Sequence, residues 1–147
     1  LAHRGFSLEG LENTMPAFVT AYLASVVVFL AIDFVWLSTA TNFFYRPQMG
    51  SLLSSQPNLV VAAAFYLVYV VGIVVFAVLP AANQGSWLMA LGLGALLGLV
   101  AYGTYDITNL ATIRDWPPLV TIVDLAWGTA LTAVSALAGY WALRLWS

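Results

Sequence analysis

Asp33, Asp106 and Asp124 each stand inside a long apolar run. A carboxylate at the centre of a bilayer costs about 2.5–3.5 kcal/mol even on the mildest insertion scale, so such residues face protein and commonly serve a function. Their depths agree: Asp33 precedes Thr39 by six residues, Asp106 precedes Ile113 by seven, and Asp124 follows Pro118 by six. At a rise of about 1.5 Å per residue, each lies roughly 9–11 Å inside the same membrane face. Three carboxyls in one layer suit two kinds of chemistry: oxygen ligation of a divalent cation and general acid–base catalysis. They also demand compensation, since two charges 4 Å apart repel by about 4 kcal/mol at an effective dielectric near 20. The expectation is a cluster of Asp33, Asp106 and Asp124 that holds a cation or retains a proton, with Arg46 as the nearest source of positive charge.

The companions of these residues recur at helical spacing. Tyr22, Ser25, Phe29, Asp33 and Trp36 form one stripe; Tyr102, Tyr105, Asp106 and Asn109 a second; Thr121, Asp124, Gly128, Thr132 and Ser135 a third; Tyr66, Tyr69, Gly72 and Phe76 an aromatic fourth. Residues three and four apart share a helical face, so each stripe is expected to face inward. Ser25, Thr132 and Ser135 read as hydrogen-bonding glue between helices. Trp36, Tyr102, Tyr105, Asn109 and Trp127 are candidates for orienting a substrate, and Arg46 for pairing with an anionic headgroup. The chain has no Cys, and its single His lies outside the apolar runs. Thiolate metal sites, Cys nucleophiles and a His-ligated iron centre within the membrane are thereby excluded.

The elements that must position these groups follow from composition. The chain is 63% hydrophobic and 7% charged, with mean hydropathy +0.95. Soluble domains carry about 25% charged residues, and a domain of this size buries only about 70% of its unfolded surface, so the solvent here is a bilayer. Apolar runs of about 17–39, 58–81, 86–113 and 118–146 each reach the roughly 20 residues that a spanning helix needs. Continuous apolar character argues against the alternating ~10-residue strands of a barrel. The fold class is therefore all-α, a polytopic four-transmembrane-helix bundle. Phe43 to Gly50 should begin the longest loop, Pro80 should end the second span, and Tyr102 to Asn109 is polar enough to allow local unwinding beside a cavity. Ala90, Gly94 and Gly98 form a small-residue face for close helix packing, within the bundle in preference to dimerisation. Trp87, Trp116, Trp141 and Trp146 sit near span ends as an aromatic belt would. Four isolated Arg and a net charge of -2 leave no footprint for nucleic acid.

Two family resemblances are carried by motifs. Residues 1–18, with His3-Arg4-Gly5, Glu12-Asn13-Thr14 and Ala17-Phe18, resemble the start of glycerophosphodiester phosphodiesterases. That resemblance would make His3 an acid–base group, Arg4 a phosphate binder and Glu12 a metal ligand. The family needs a (β/α)₈ barrel of about 250 residues, and nothing after Phe18 reads as barrel strands, so residues 1–14 are expected to be an unstructured fusion remnant ahead of a membrane domain over 15–147. Within that domain, Asp33-Phe34-Val35-Trp36-Leu37, Tyr45-Arg46-Pro47-Gln48-Met49-Gly50, Tyr102 through Thr112, and Val123-Asp124-Leu125-Ala126-Trp127-Gly128 resemble an uncharacterised bacterial membrane-protein family, domain of unknown function 2177. The resemblance implies four membrane helices and no established activity.

Three functions fit the residues. The first is an enzyme, or its accessory, acting on lipid or another hydrophobic substrate, with a divalent cation as the conceivable cofactor. The second is a proton- or cation-coupled transporter subunit, and the third a structural subunit of a membrane complex or homo-oligomer. A phosphodiesterase fragment is a remote fourth. Polar residues concentrated near one face favour a site over a path across the bilayer. The expected partner is membrane lipid and the expected location a bacterial cytoplasmic membrane. Discounting the tail, Arg46 and Arg114 outnumber Arg144, which puts their loops in the cytoplasm.

Overall fold

A chain this apolar must satisfy every backbone N–H and C=O internally where no water reaches, and helices do so within a single segment. The computed structural model describes residues 8–146, with side chains from Thr14 onward, and among these residues every regular element is helical. Helix α1 spans Leu8–Ala40 and runs without a break into a π-helical turn, Thr41–Tyr45, then α2, Arg46–Met49, and a 3-10 turn, Gly50–Leu52. Helix α3, Leu59–Ile73, continues through a second π-helical turn, Val74–Val78, into α4, Leu79–Gln84. Helices α5, Trp87–Thr112, and α6, Pro118–Trp146, complete the chain. Four of these helical stretches, Thr14–Leu52, Leu59–Gln84, Trp87–Thr112 and Pro118–Trp146, are long and apolar enough to cross a membrane.

Several sequence expectations need correction. The segment Phe43 to Gly50 is helical, and so is the tail from Leu8; the remainder of the tail lies outside the described residues. The second span does not end at Pro80. It runs to Gln84 and stops at Gly85, whose φ of 62° suits a residue without Cβ. Gly85 N–H donates to Ala82 O and Ser86 N–H to Ala81 O, both at 3.1 Å, which closes the helix with a Schellman turn. Tyr102 to Asn109 stays regular helix. Its polarity is absorbed locally: Thr104 Oγ1 donates to Val100 O at 2.7 Å, Thr112 Oγ1 to Thr108 O at 2.7 Å, and Thr108 Oγ1 likewise to Thr104 O.

Both π-helical turns share a cause. Each ends two residues before a proline, Pro47 and Pro80. A proline inside a helix has no N–H and its ring clashes with the carbonyl four residues back, here that of Phe43 and of Phe76. Widening the turn relieves that clash. Phe76 is exposed where the spacing predicted an inward face, because the buried face of this span runs through Val70, Ile73, Val74 and Ala77.

Helix α6 is the hub of the bundle, packed along most of its length against α5 and α1. The α5–α6 contact depends on glycine. A Cβ on Gly94 would lie 2.8 Å from Ala136 Cβ and 2.9 Å from Ala133 Cα, so the small-residue face serves packing within the bundle. Toward the end away from the aspartates the core is tight: Ala21, Phe29, Val70, Ile73, Val74, Ala77, Leu131 and Ala136 are buried together. Ser25 Oγ there donates to Ser135 O at 3.0 Å and Ser135 Oγ to Leu131 O at 2.8 Å, and Tyr69 OH pairs with Thr132 Oγ1 at 2.8 Å. By contrast the first half of α3, capped by Asn58 Oδ1 accepting from Val61 N–H at 3.1 Å, stands off its neighbours and meets them chiefly through the later, π-helical half.

Candidate functional site

The stand-off of α3 leaves a cavity of about 930 Å³ at the aspartate end of the bundle. Its wall takes Asp33, Trp36 and Tyr45 from the first helical stretch, Tyr66 and Tyr69 from α3, Tyr102 and Tyr105 from α5, and Asp124 and Trp127 from α6. Val61 and Phe65 belong to the same wall yet are each 63% exposed. The cavity therefore opens sideways, past apolar side chains of α3, toward the region lipid occupies.

Indoles and phenols organise the inner wall. The Trp36 and Trp127 rings stack, with centroids 4.5 Å apart and planes 15° from parallel. Trp127 Nε1 donates to Asp33 Oδ1 at 3.2 Å. Trp36 Nε1 donates to the Tyr45 hydroxyl at 3.2 Å, and that hydroxyl donates to Asp124 Oδ1 at 2.5 Å, a short contact of the kind a phenol makes to a carboxylate. The π-helical turn makes this possible. In a regular helix Trp36 and Tyr45 would project roughly 180° apart; one residue absorbed by the wide turn reduces that to roughly 80°. Tyr102 is held by a different device. Its ring lies directly on Gly128, where any Cβ would collide with it.

Asp106 is fully buried and is not part of the wall. No donor reaches either of its carboxyl oxygens. The group it faces is the carboxyl of Asp124, which is itself only an acceptor unless a proton sits between the two. Behind Asp106, the buried Trp116 closes the loop end: its Nε1 donates to Thr121 Oγ1 at 3.1 Å, and Thr121 Oγ1 donates to Asp106 O at 3.3 Å. Trp116 is thus a plug and not a member of the lipid-facing belt.

The expected layer of three converging carboxylates is corrected accordingly. Asp33 and Asp124 are engaged by different donors on the cavity wall, and Asp106 stands behind Asp124. Among the described residues no three carboxylate or imidazole groups come together as a metal ion would need. Arg46 is exposed and off the wall, no ion pair joins it to an aspartate among the described residues, and Asn109 is also off the wall. Asp33, Trp36, Tyr102, Tyr105, Asp124 and Trp127 all lie on it. Sequence reasoning left Tyr45 out of the site because it read that segment as loop, although the proline two residues on was a visible signal.

Residues 18–141 match the model of a family described as predicted membrane protein (DUF2177). The chain belongs to that family. No curated protein and no solved structure matches it. The DUF2177 match begins at Phe18, the last residue of the phosphodiesterase-like motif. Of that motif, His3 and Arg4 lie outside the described residues, and Glu12 falls in helix α1.

Proposed function

We propose that this DUF2177 protein is a membrane-embedded enzyme that acts on a lipid or other hydrophobic substrate, which enters the cavity sideways from the bilayer. The observation that carries the reading is the cavity itself: an aromatic pocket of about 930 Å³, open between helices, with carboxyls on its inner wall. Ligand sites of this size are mostly apolar with a few polar groups that fix orientation. Asp124 would exchange a proton with the substrate, Tyr45 would hold its carboxyl in position, and Asp106 would act through Asp124. Tyr102, Tyr105 and the Trp36–Trp127 stack would flank the substrate, and exposed Arg46 would meet headgroups outside. The hydrogen-bonded serines and threonine and the closed apolar core at the other end favour a site over a path across the membrane, and so disfavour a transporter subunit. We place the protein in a bacterial cytoplasmic membrane with the Arg46 and Arg114 ends inward, by the charge count of the loops.

Cells that carry the wild-type chain or Asp124→Asn at equal membrane abundance provide the test. Mass spectrometry of their lipid extracts should reveal molecular species changed by the wild type and unchanged by the variant. Identical extracts would overturn the enzymatic reading.

A further inference from the structure

The polar chemistry of the cavity is one-sided. Its wall carries two carboxyls, Asp33 and Asp124, and no Arg, Lys or His. Asp124 Oδ1 already accepts the Tyr45 hydroxyl. Asp33 differs: it is only 4% exposed, its Oδ1 is fixed by Trp127 Nε1, and its Oδ2 is buried with no hydrogen-bond partner. The Tyr66 hydroxyl interacts with this carboxyl, but without the geometry of a hydrogen bond to Oδ2. A buried acceptor left without a donor costs about 1–3 kcal/mol, more when it is charged, so a donor in the cavity toward which the carboxyl could turn would be favoured.

The surroundings specify what kind of donor. Trp36 and Trp127 stack beside Asp33, and the phenol rings of Tyr66, Tyr69 and Tyr102 complete the wall. Aromatic faces attract cations, best when desolvated. An anionic group would meet two carboxyls and no positive charge. We infer that the cavity binds an amphiphile whose cationic amine sits at the Asp33 carboxyl, drawing Oδ2 out of its buried position, among these rings, while its apolar chain leaves past Val61 and Phe65 into the bilayer. This rests on the cavity being a ligand site, as proposed above, and adds the class of ligand. The amine has two potential sources, the headgroup of an aminophospholipid or a single-chain amine, and the chemistry at Asp33 is common to both.

The full chain in neutral maltoside micelles can be titrated with tritiated dodecylamine and, separately, tritiated dodecanol, at matched mole fractions. Saturable amine binding at least tenfold tighter than that of the alcohol is expected. Dodecyltrimethylammonium should compete with the amine, and dodecyl sulfate should not. Asp33→Asn should weaken the amine at least tenfold and leave the alcohol unchanged. If the variant fails to fold, the amine-to-alcohol ratio of the wild-type chain still decides the matter. Equal binding of amine and alcohol, competition by the sulfate, or an Asp33→Asn protein that binds amine as before would overturn the inference and leave the cavity reading standing. Saturable binding of neither would overturn both. Displacement of dodecylamine by phosphatidylethanolamine supports the inference with a lipid headgroup as the source; failure of that lipid to displace it supports the inference with a single-chain amine as the source.

Discussion

Asp106 poses the sharpest question about a single residue, because two buried oxygens face a carboxyl and nothing else donates to them. An asparagine in its place carries two N–H donors, one of which can reach Asp124. Asp106→Asn should therefore leave the protein inserted and raise its stability by about 1 kcal/mol, the net value of an ordinary hydrogen bond. Thermal unfolding in detergent reads this directly, and a clear loss of stability would mean that the carboxyl is satisfied in a way this account omits. Much of the site was legible residue by residue. Intramembrane Asp33 and Asp124 declared themselves by cost, and Trp36, Tyr102, Tyr105 and Trp127 by helical phase with them. Asp106 shares that phase, but helical periodicity cannot distinguish a wall from the layer behind it. Trp116 was misplaced for a related reason: nearness to a span end does not reveal whether a ring faces lipid or a neighbouring helix.

At the scale of the element, a proline does what hydropathy could not foretell. Long apolar runs announced four helices, yet a wide turn ahead of Pro47 decides that Tyr45 meets Asp124. Replacing Pro47 with Ala restores an N–H and removes the clash, so the turn should tighten and carry Tyr45 away. A hydrogen bond to a charged group contributes about 1.5–3 kcal/mol, against about 1 kcal/mol regained in the backbone. Pro47→Ala should then cost about 0.5–2 kcal/mol in the wild-type background and stabilise by about 1 kcal/mol when Tyr45 is already Phe. Non-additivity of that kind is the signature of residues acting through one another. Equal costs in both backgrounds would show that Pro47 does not act through Tyr45. Glycine acted more transparently: Gly94 and Gly98 at four-residue spacing signalled close approach, and α6 is the helix that approaches.

The whole molecule joins a tight half to an open half. At one end α1, the later part of the second span and α6 bury a continuous apolar core; at the other, α3 stands off and leaves the aromatic cavity. Composition alone made the bundle legible. The asymmetry was not, because it depends on which part of each apolar helix finds a partner, and one uniformly apolar run does not record that. The central claim is that the open half receives an amphiphile from the bilayer. A high-resolution structure of the protein in lipid nanodiscs tests it most directly. The expected result is an elongated molecule between α3 and its neighbours, with its polar end within hydrogen-bonding distance of Asp33 or Asp124 and its chain passing Val61 and Phe65; a cavity closed by α3 packed onto α5, or filled by water alone, would contradict the account.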